Sequence, residues 1–455
     1  MWRGQGDDNN ALSAWIVKEW QALNNVCGWI ALAGESPQRP KLTGSQKTDW
    51  LIIGGGITGL SAAHSLAQMF PQQRIVLLDR QRVAQGASAR NSGFVVSHEL
   101  PSFDELIGQP GHDAYQLASR IGVAAGKEVR QRIAELDIEC EFSDAGYHFA
   151  VHQPQHLDHG EQRIDTLNAV GASAVCLEGE ALQRRLGSGF YQRAIHCAGG
   201  NGLLQPGKYV KGLLDRLPAQ VEVYEHSSVD DLQPIAGKGW RAQTAEGEVT
   251  AAQVLVCVGA FLPRVGLHRS RTFALELSAS ITRPLTGEHW QTRFDDQGWG
   301  VLSTLPGGAT VRLLPGRRLL IRNTVEYRQR DLGSADLAAR QYQHLVGLQK
   351  RFPGITAQDM QHTWTGHLSA TRSGEPYFSR IAERLHGVSG CNGSGVARGT
   401  LWGRLLAEMA AGGDSPVLRD VLAQARPGYL PPRPLFDIGA VARMGWEVRR
   451  ARHER

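Results

Sequence analysis

Apolar residues along this chain fall into three patterns, and each predicts a different element. Unbroken apolar runs at 51–53, 74–78 and 254–260 read as strands buried on both faces, as in a parallel sheet covered by helices. Apolar residues recurring every three or four positions predict helices over 114–136, 156–170, 209–217, 335–351 and 400–411. Alternation of apolar and polar residues predicts strands at 139–151 and, between 269 and 330, at 275–283, 309–314 and 318–324. Gly307-Gly308 and Pro315-Gly316 mark turns in that second region. Val221-Glu222-Val223-Tyr224 with Val229 reads as a strand pair returning to the parallel sheet. Two kinds of sheet are therefore expected, one parallel and one antiparallel, in a chain of 455 residues that is long enough for two large cores.

The first apolar strand runs into Gly54-Gly55-Gly56-Ile57-Thr58-Gly59, and a helical pattern follows. Such spacing suits a dinucleotide: Gly54 permits the tight turn, and Gly56 lets the backbone approach a pyrophosphate. Gly59, with Ala63, allows the helix to sit close on the sheet. The helix N-terminus then offers unpaired N–H groups and a positive dipole end. The next strand ends in Asp79-Arg80, with a carboxylate suited to a ribose diol.

Two further blocks narrow the choice of dinucleotide. Gly86-Ala87-Ser88-Ala89-Arg90-Asn91-Ser92-Gly93 offers small residues, hydroxyls and one arginine, able to wrap a pyrophosphate and a ribityl chain. Gly387-Val388-Ser389-Gly390-Cys391-Asn392-Gly393-Ser394-Gly395-Val396 is again a glycine-rich loop opening a helix, suited to the electron-rich end of a reduced isoalloxazine.

With the strand at 254–260, these blocks resemble the D-amino-acid oxidase and glycine oxidase superfamily of FAD-dependent amine and amino-acid oxidoreductases. The nearest look is to its gamma-glutamylputrescine oxidoreductase and pipecolate oxidase branch, over about residues 46–425. The resemblance implies an α/β fold: a Rossmann-like FAD-binding domain of the second glutathione-reductase-like family, with an inserted α+β substrate domain built on an antiparallel sheet. On that reading the FAD-binding domain is discontinuous, 46–110, 197–268 and 355–425. The substrate domain is 111–196 and 269–354, flanked by an N-terminal helical extension, 1–45, and a C-terminal tail, 426–455. The extension holds Trp2, Trp15, Trp20 and Trp29, and a helix around 11–32 is expected in it.

By the resemblance, Gly54, Gly56, Gly59, Asp79, Ser88, Arg90, Asn91, Gly93, Val229, Gly259, Gly393, Gly395 and Val396 fall at flavin-contact positions. Their neighbours Ile57, Thr58, Arg80, Ala87, Ser92 and Ser394 complete the expected cofactor set. Non-covalent FAD is implied, since no cysteine lies near Gly366, where the family forms its linkage, and the second block has no histidine. Departures are informative too. Ser373 replaces the usual aspartate in Thr371-Arg372-Ser373-Gly374-Glu375-Pro376. In sarcosine-oxidase-like members a carboxylate-binding arginine stands at what is Gly93 here and a lysine at what is Ala397; both are absent, which argues against a sarcosine-like substrate. No lysine occurs from Arg241 through Gln349, whereas several oxidases of the family hold one over the flavin from the substrate sheet.

Hydride transfer to a flavin asks the protein for orientation and electrostatics rather than a nucleophile. The pocket needs apolar walls and an anchor for the distal group of the substrate. Arg322 and Arg312 lie amid apolar strand residues, an unusual setting for a cation, and face either the pocket or solvent. His98 follows the second block and either lines the pocket or sits on a surface loop.

Composition changes this picture little. Apolar residues at 42% and charged ones at 20% suit a soluble globular enzyme. The net charge of +5 is spread along the chain without a lysine-rich, aromatic-interleaved stripe, so no nucleic-acid partner is expected. Only Arg449-Arg450-Ala451-Arg452-His453-Glu454-Arg455 is locally basic, and a solvated tail is expected there. Asp7 and Asp8 stand where a signal peptide would be basic, and the apolar stretch at 11–34 carries too many polar residues to span a bilayer. Six cysteines without a Cys-x-x-Cys pair suit reduced thiols in a cytoplasmic protein. His152, His156 and His159 are interrupted by Pro154 and lack a fourth ligand, so no metal is expected.

Three function classes follow. The first is an FAD-dependent oxidoreductase that oxidises the C–N bond of an amine or amino acid, giving an imine that hydrolyses, with oxygen or another acceptor taking the electrons. The second acts on a hydroxy acid, or inside a larger electron-transfer or tRNA-modifying assembly. The third is a flavin-binding assembly factor without catalysis.

Overall fold

A computed structural model describes residues 25–455 apart from 35, 266, 268–269, 295–297 and 329–331. Most of the helix expected at 11–32, with Trp2, Trp15 and Trp20, lies outside the described residues; its end forms the short helix Gly28–Ala33. Two eight-stranded sheets organise the chain. In the first, the strand Gly44–Ile53 sits between Gly247–Val256 and Ile75–Leu78, all parallel, with Val221–Tyr224 beyond Ile75–Leu78. Leu385–Ser389 extends the other side in parallel, and Tyr377–Ala382 closes that edge antiparallel. Leu51, Ile52, Val76, Leu77, Val254 and Leu255 are fully buried, which is what an unbroken apolar run requires of a central strand. A meander, Asp231–Ile235 and Gly239–Gln243, pairs antiparallel with the outer part of Gly247–Val256.

Helices Ile57–Met69 and Gly395–Ala410 pack directly on each other. A Cβ on Gly403 would lie 2.3 Å from the Thr58 carbonyl oxygen, so only glycine permits this approach. Both helices thereby start at the same end of the parallel sheet.

In the second sheet the order is Met360–Thr371, Thr272–Thr282, Arg318–Arg322, Thr310–Leu314, Trp299–Leu302, Tyr147–Val151, Arg193–Cys197, Ala174–Glu178. Every neighbouring pair is antiparallel except Trp299–Leu302 with Tyr147–Val151, so the expected antiparallel sheet contains one parallel step. The strand expected at 139–151 starts only at Tyr147. The twelve-residue strand Met360–Thr371, which joins this sheet rather than the parallel one, gave no alternating signal because it is buried on both faces at its centre and end. The boundary expected at 355 therefore falls before a strand of the substrate sheet.

The C-terminus differs from the solvated tail expected for it. Residues Leu435–Arg450 form a helix, and the last residues dock on the second sheet. The Glu454 carboxylate, 2% exposed, accepts the backbone N–H groups of His152 (2.7 Å) and Gln153 (2.9 Å) and bonds the His156 ring. The Glu454 carbonyl accepts from Ala309 N–H and from Arg351. A basic stretch read locally suggests solvation; the two buried acids on its inner side, Glu447 and Glu454, hold it down.

Candidate functional site

A cleft of about 1130 Å³ runs from the ends of the parallel strands to the inner face of the second sheet. At its nucleotide end the backbone geometry is dictated by glycine. Gly54 takes φ 107°, and a Cβ there would press on the Cys257 carbonyl at 2.6 Å. A Cβ on Gly59 would fall 1.9 Å from the Gly54 oxygen, so Gly59 serves helix–strand packing and does not line the cleft. Gly56 caps the helix with no side chain, leaving its N-terminus open, while the Ile57 N–H donates to Ser88 Oγ at 2.9 Å. Asp79 Oδ2 accepts from Gly55 N–H and Oδ1 from Gln81 N–H, both at 2.8 Å; burial raises its carboxyl. Arg80 lies 4.1 Å over the Phe261 ring.

Gly54, Gly56, Ile57, Thr58, Asp79, Arg80, Val229, Gly259, Gly393, Ser394, Gly395 and Val396 all line this cleft. Gly259 and Gly393 hold positive φ with open space where a side chain would stand. This cradle fits FAD: two helix N-termini face one elongated cavity, and glycines keep side chains out of the space between.

The block Gly86–Gly93 forms the middle of the wall, with Ala87, Ser88, Arg90, Asn91, Ser92 and Gly93 at the cleft. Its shape is set from behind. Trp29 donates to the Asn91 carbonyl (2.7 Å) and Trp364 to the Arg90 carbonyl (3.0 Å). Arg90, expected as a phosphate donor, bonds Gln85 O (2.8 Å), Thr365 O (3.1 Å) and Asn25 (3.0 Å). Asn91 bonds Ser88 O and accepts from Gly93 N–H. Both side chains therefore hold the loop in shape.

The substrate sheet roofs the other end with Phe149, Leu275, Leu277, Leu302, Val325 and Leu368. Residues 310, 312 and 314, and 320 and 322 on the next strand, share one side, because Leu314 and Leu320 meet Trp29 and Trp364 there while Val311, Leu313, Leu319 and Ile321 pack on the far side. Arg312 and Arg322 thus both face the FAD-binding half, not solvent. Arg312, 4% exposed, donates to the carbonyls of Ser92 (2.8 Å), Gly93 (3.3 Å) and Leu204 (2.8 Å), outside the cleft wall. Arg322 lines the cleft; its Nη2 donates to Thr310 Oγ1 at 2.7 Å, and no carboxylate among the described residues pairs with it. Burial lowers both guanidinium groups, to about 9 and about 10, so both are charged at neutral pH.

His98 neither lines the cleft nor lies on a surface loop. It is 1% exposed, burial lowers it to about 4, and its backbone N–H is held by Asn201. Its neighbour Glu99 takes the cleft position, accepting from Ser394 Oγ (2.7 Å) and Arg398 (2.9 Å) at the start of helix Gly395–Ala410. Glu99 was missed because nothing local distinguishes it from a loop acid. Met444 of the C-terminal helix also reaches the cleft wall, and no local signal announces that.

A family model described as DAO, FAD-dependent oxidoreductase, matches residues 49–409. The chain belongs to that family. Gamma-glutamylputrescine oxidoreductase of Escherichia coli (strain K12) is 28% identical over 375 residues, 80% of this chain and 84% of that protein. The crystal structure of glycine oxidase from Geobacillus kaustophilus superposes with TM-score 0.67 at 17% identity, covering 82% of this chain and 96% of that one. Iminodiacetate oxidase from Chelativorans sp. BNC1 gives TM-score 0.65 at 20% identity over 81% and 96%. As a member of this family the protein is an FAD-dependent oxidoreductase, and its mixed α/β fold is that of the superposed oxidases. Among the described residues no helix is long and apolar enough to cross a membrane.

Proposed function

We propose that this enzyme oxidises the C–N bond of an amine or amino acid that carries an anionic group, and that Arg322 holds that group. The observation that carries the reading is a charged guanidinium on the apolar roof that, among the described residues, bonds a single hydroxyl and no carboxylate. A desolvated cation of this kind favours an anion that completes its two-pronged hydrogen bonding. The names of the related proteins, a gamma-glutamylputrescine oxidoreductase and oxidases of glycine and iminodiacetate, favour a C–N substrate.

FAD, bound without a covalent link along Gly54, Gly56, Asp79, Gly259, Gly393 and Gly395, supplies the hydride acceptor. The chain's own residues do the rest. Leu275, Leu277 and Leu368 exclude water from the reacting carbon and favour the neutral amine, whose lone pair assists hydride loss. Arg322 fixes the distal end, so that the carbon is held in line rather than found by diffusion. The imine product leaves and is hydrolysed by water. We read 46–110, 197–268 and 355–425 as the FAD-binding domain and 111–196 with 269–354 as the substrate domain, apart from the strand Met360–Thr371 in the substrate sheet.

Anaerobic mixing of the holoenzyme with a panel of amines, amino acids and hydroxy acids tests this reading. Bleaching of the flavin by anionic amines or amino acids, and not by hydroxy acids, is the expected result. Bleaching by hydroxy acids alone would establish the alternative donor class, and no bleaching by any donor would leave an assembly role.

A further inference from the structure

The C-terminal helix Leu435–Arg450 carries a stripe that no described residue covers. Leu435, Ile438, Val441 and Trp446 are 67, 65, 58 and 49% exposed, a concentration of large apolar side chains found on no other described helix. Their spacing of three to five residues keeps them on one side of the helix. The inner side is occupied: Asp437 accepts from Tyr327, Glu447 is buried beside Arg443, and Met444 reaches the cleft.

The charge around this stripe has one sign. Every exposed charged side chain between 431 and 452 is an arginine: Arg433, Arg443, Arg449, Arg450 and Arg452. The two acids of this stretch face inward, with side chains 17% and 3% exposed. Arg443 and Arg450 flank the Trp446 ring at 4.6 and 5.4 Å. Beside the stripe, Gln153, Trp446, Arg449, Arg450, Arg452 and His453 line a second cavity of about 440 Å³.

A second copy of the chain is a poor occupant, because a two-fold contact through this face would set arginines against arginines. An anionic bilayer surface meets both demands at once. Leucine, isoleucine, valine and tryptophan enter the boundary between headgroups and acyl chains, while guanidinium groups bond lipid phosphates. We propose that helix Leu435–Arg450 docks the enzyme on an anionic phospholipid surface. Docked in this way, the enzyme presents the cleft wall that includes Met444 close to the lipid.

Flotation of the holoenzyme with vesicles tests this. Binding to phosphatidylcholine–phosphatidylglycerol vesicles, reversed by high salt and absent with phosphatidylcholine alone, is expected. Ile438→Asp should abolish binding. The pair Arg449→Gln and Arg450→Gln should weaken it on the order of thirtyfold, from the charge contribution of each arginine near an anionic surface. Flavin content and thermal midpoint, unchanged in each variant, exclude misfolding as the cause. Four results would overturn the proposal: no flotation at low salt; equal flotation with both vesicles; a dimer dispersed by Ile438→Asp without flotation; or stabilisation by inorganic phosphate without flotation, which would make the arginine cavity a site for free anions.

Discussion

Arg312 of the strand Thr310–Leu314 and Arg322 of its neighbour Arg318–Arg322 both face the FAD-binding half, and the two arginines have opposite fates. Arg312 Nη1 donates to three carbonyl oxygens of the chain, while its Nε is buried without a partner among the described residues; Arg322, among the described residues, bonds one hydroxyl and faces the open cleft. A guanidinium brings five donors in a fixed fork. Where the protein supplies the acceptors, the residue ties chain segments together; where it leaves them to the cleft, the residue is free to hold the anion of the proposed function. Charge, present on both at neutral pH, does not separate them; the partners at each tip do.

Acid is the largest perturbation, and it strikes both halves. His64 and His386 in the FAD-binding half, His98 at its edge, His148 in the roof and His344 on the helix Ser334–Arg351 are at most 5% exposed, and burial holds them near pKa 3 to 4. Below the ordinary value of 6.5 the unfolded chain binds protons that the native state refuses, so stability falls as pH drops from 6.5 toward 4. Each group contributes up to about 1.4 kcal/mol per pH unit. Unfolding and flavin release should coincide in that window. A thermal midpoint that stays flat from neutral pH down to its lower end would contradict it.

Arg312→Ala should come next. It strands the Ser92 and Leu204 carbonyls and removes a clamp between roof and loop, costing roughly 3 to 5 kcal/mol of stability and most of the bound FAD. Denaturant unfolding followed by flavin absorbance measures both, and a stable, yellow variant would erase the contrast between the two arginines.

Arg322→Ala should do the reverse. Removing a cation that, among the described residues, bonds only the Thr310 hydroxyl leaves stability and flavin content intact, while kcat/KM for an anionic substrate falls by the equivalent of roughly 2 to 4 kcal/mol. Arg322→Lys should recover little, since lysine cannot reproduce the fork. Near-normal steady-state kinetics of Arg322→Ala would move the anchor elsewhere.

The smallest change sharpens the comparison from behind the loop. Trp29→Phe removes the donor to the Asn91 carbonyl and part of a fully buried ring packed on Leu314, Leu320 and Trp364, and about 2 kcal/mol of stability should go with them. A larger loss, with weaker FAD binding, would show that the segment before the first strand shapes the cofactor wall as much as Arg312 does.

The amino-acid sequence alone specified the nucleotide end, because that end is built from backbone. Gly54, Gly56 and Gly59 are read from their spacing directly after an apolar strand, and the strand–helix order around them is local. It also determined which faces of the roof strands differ, since alternation is a property of consecutive residues, and so set Arg322 opposite Ile321. What those residues do was settled by long-range packing. Arg90 and Asn91 became loop braces because Asn25, Thr365 and Ser88 came within reach. Glu99 rather than His98 met the cleft, Met360–Thr371 joined the roof, and the basic C-terminus docked through Glu454. Each of these rests on partners up to some three hundred residues distant, and a long side chain's role is set by the donors, acceptors and water around its tip, which no local pattern encodes.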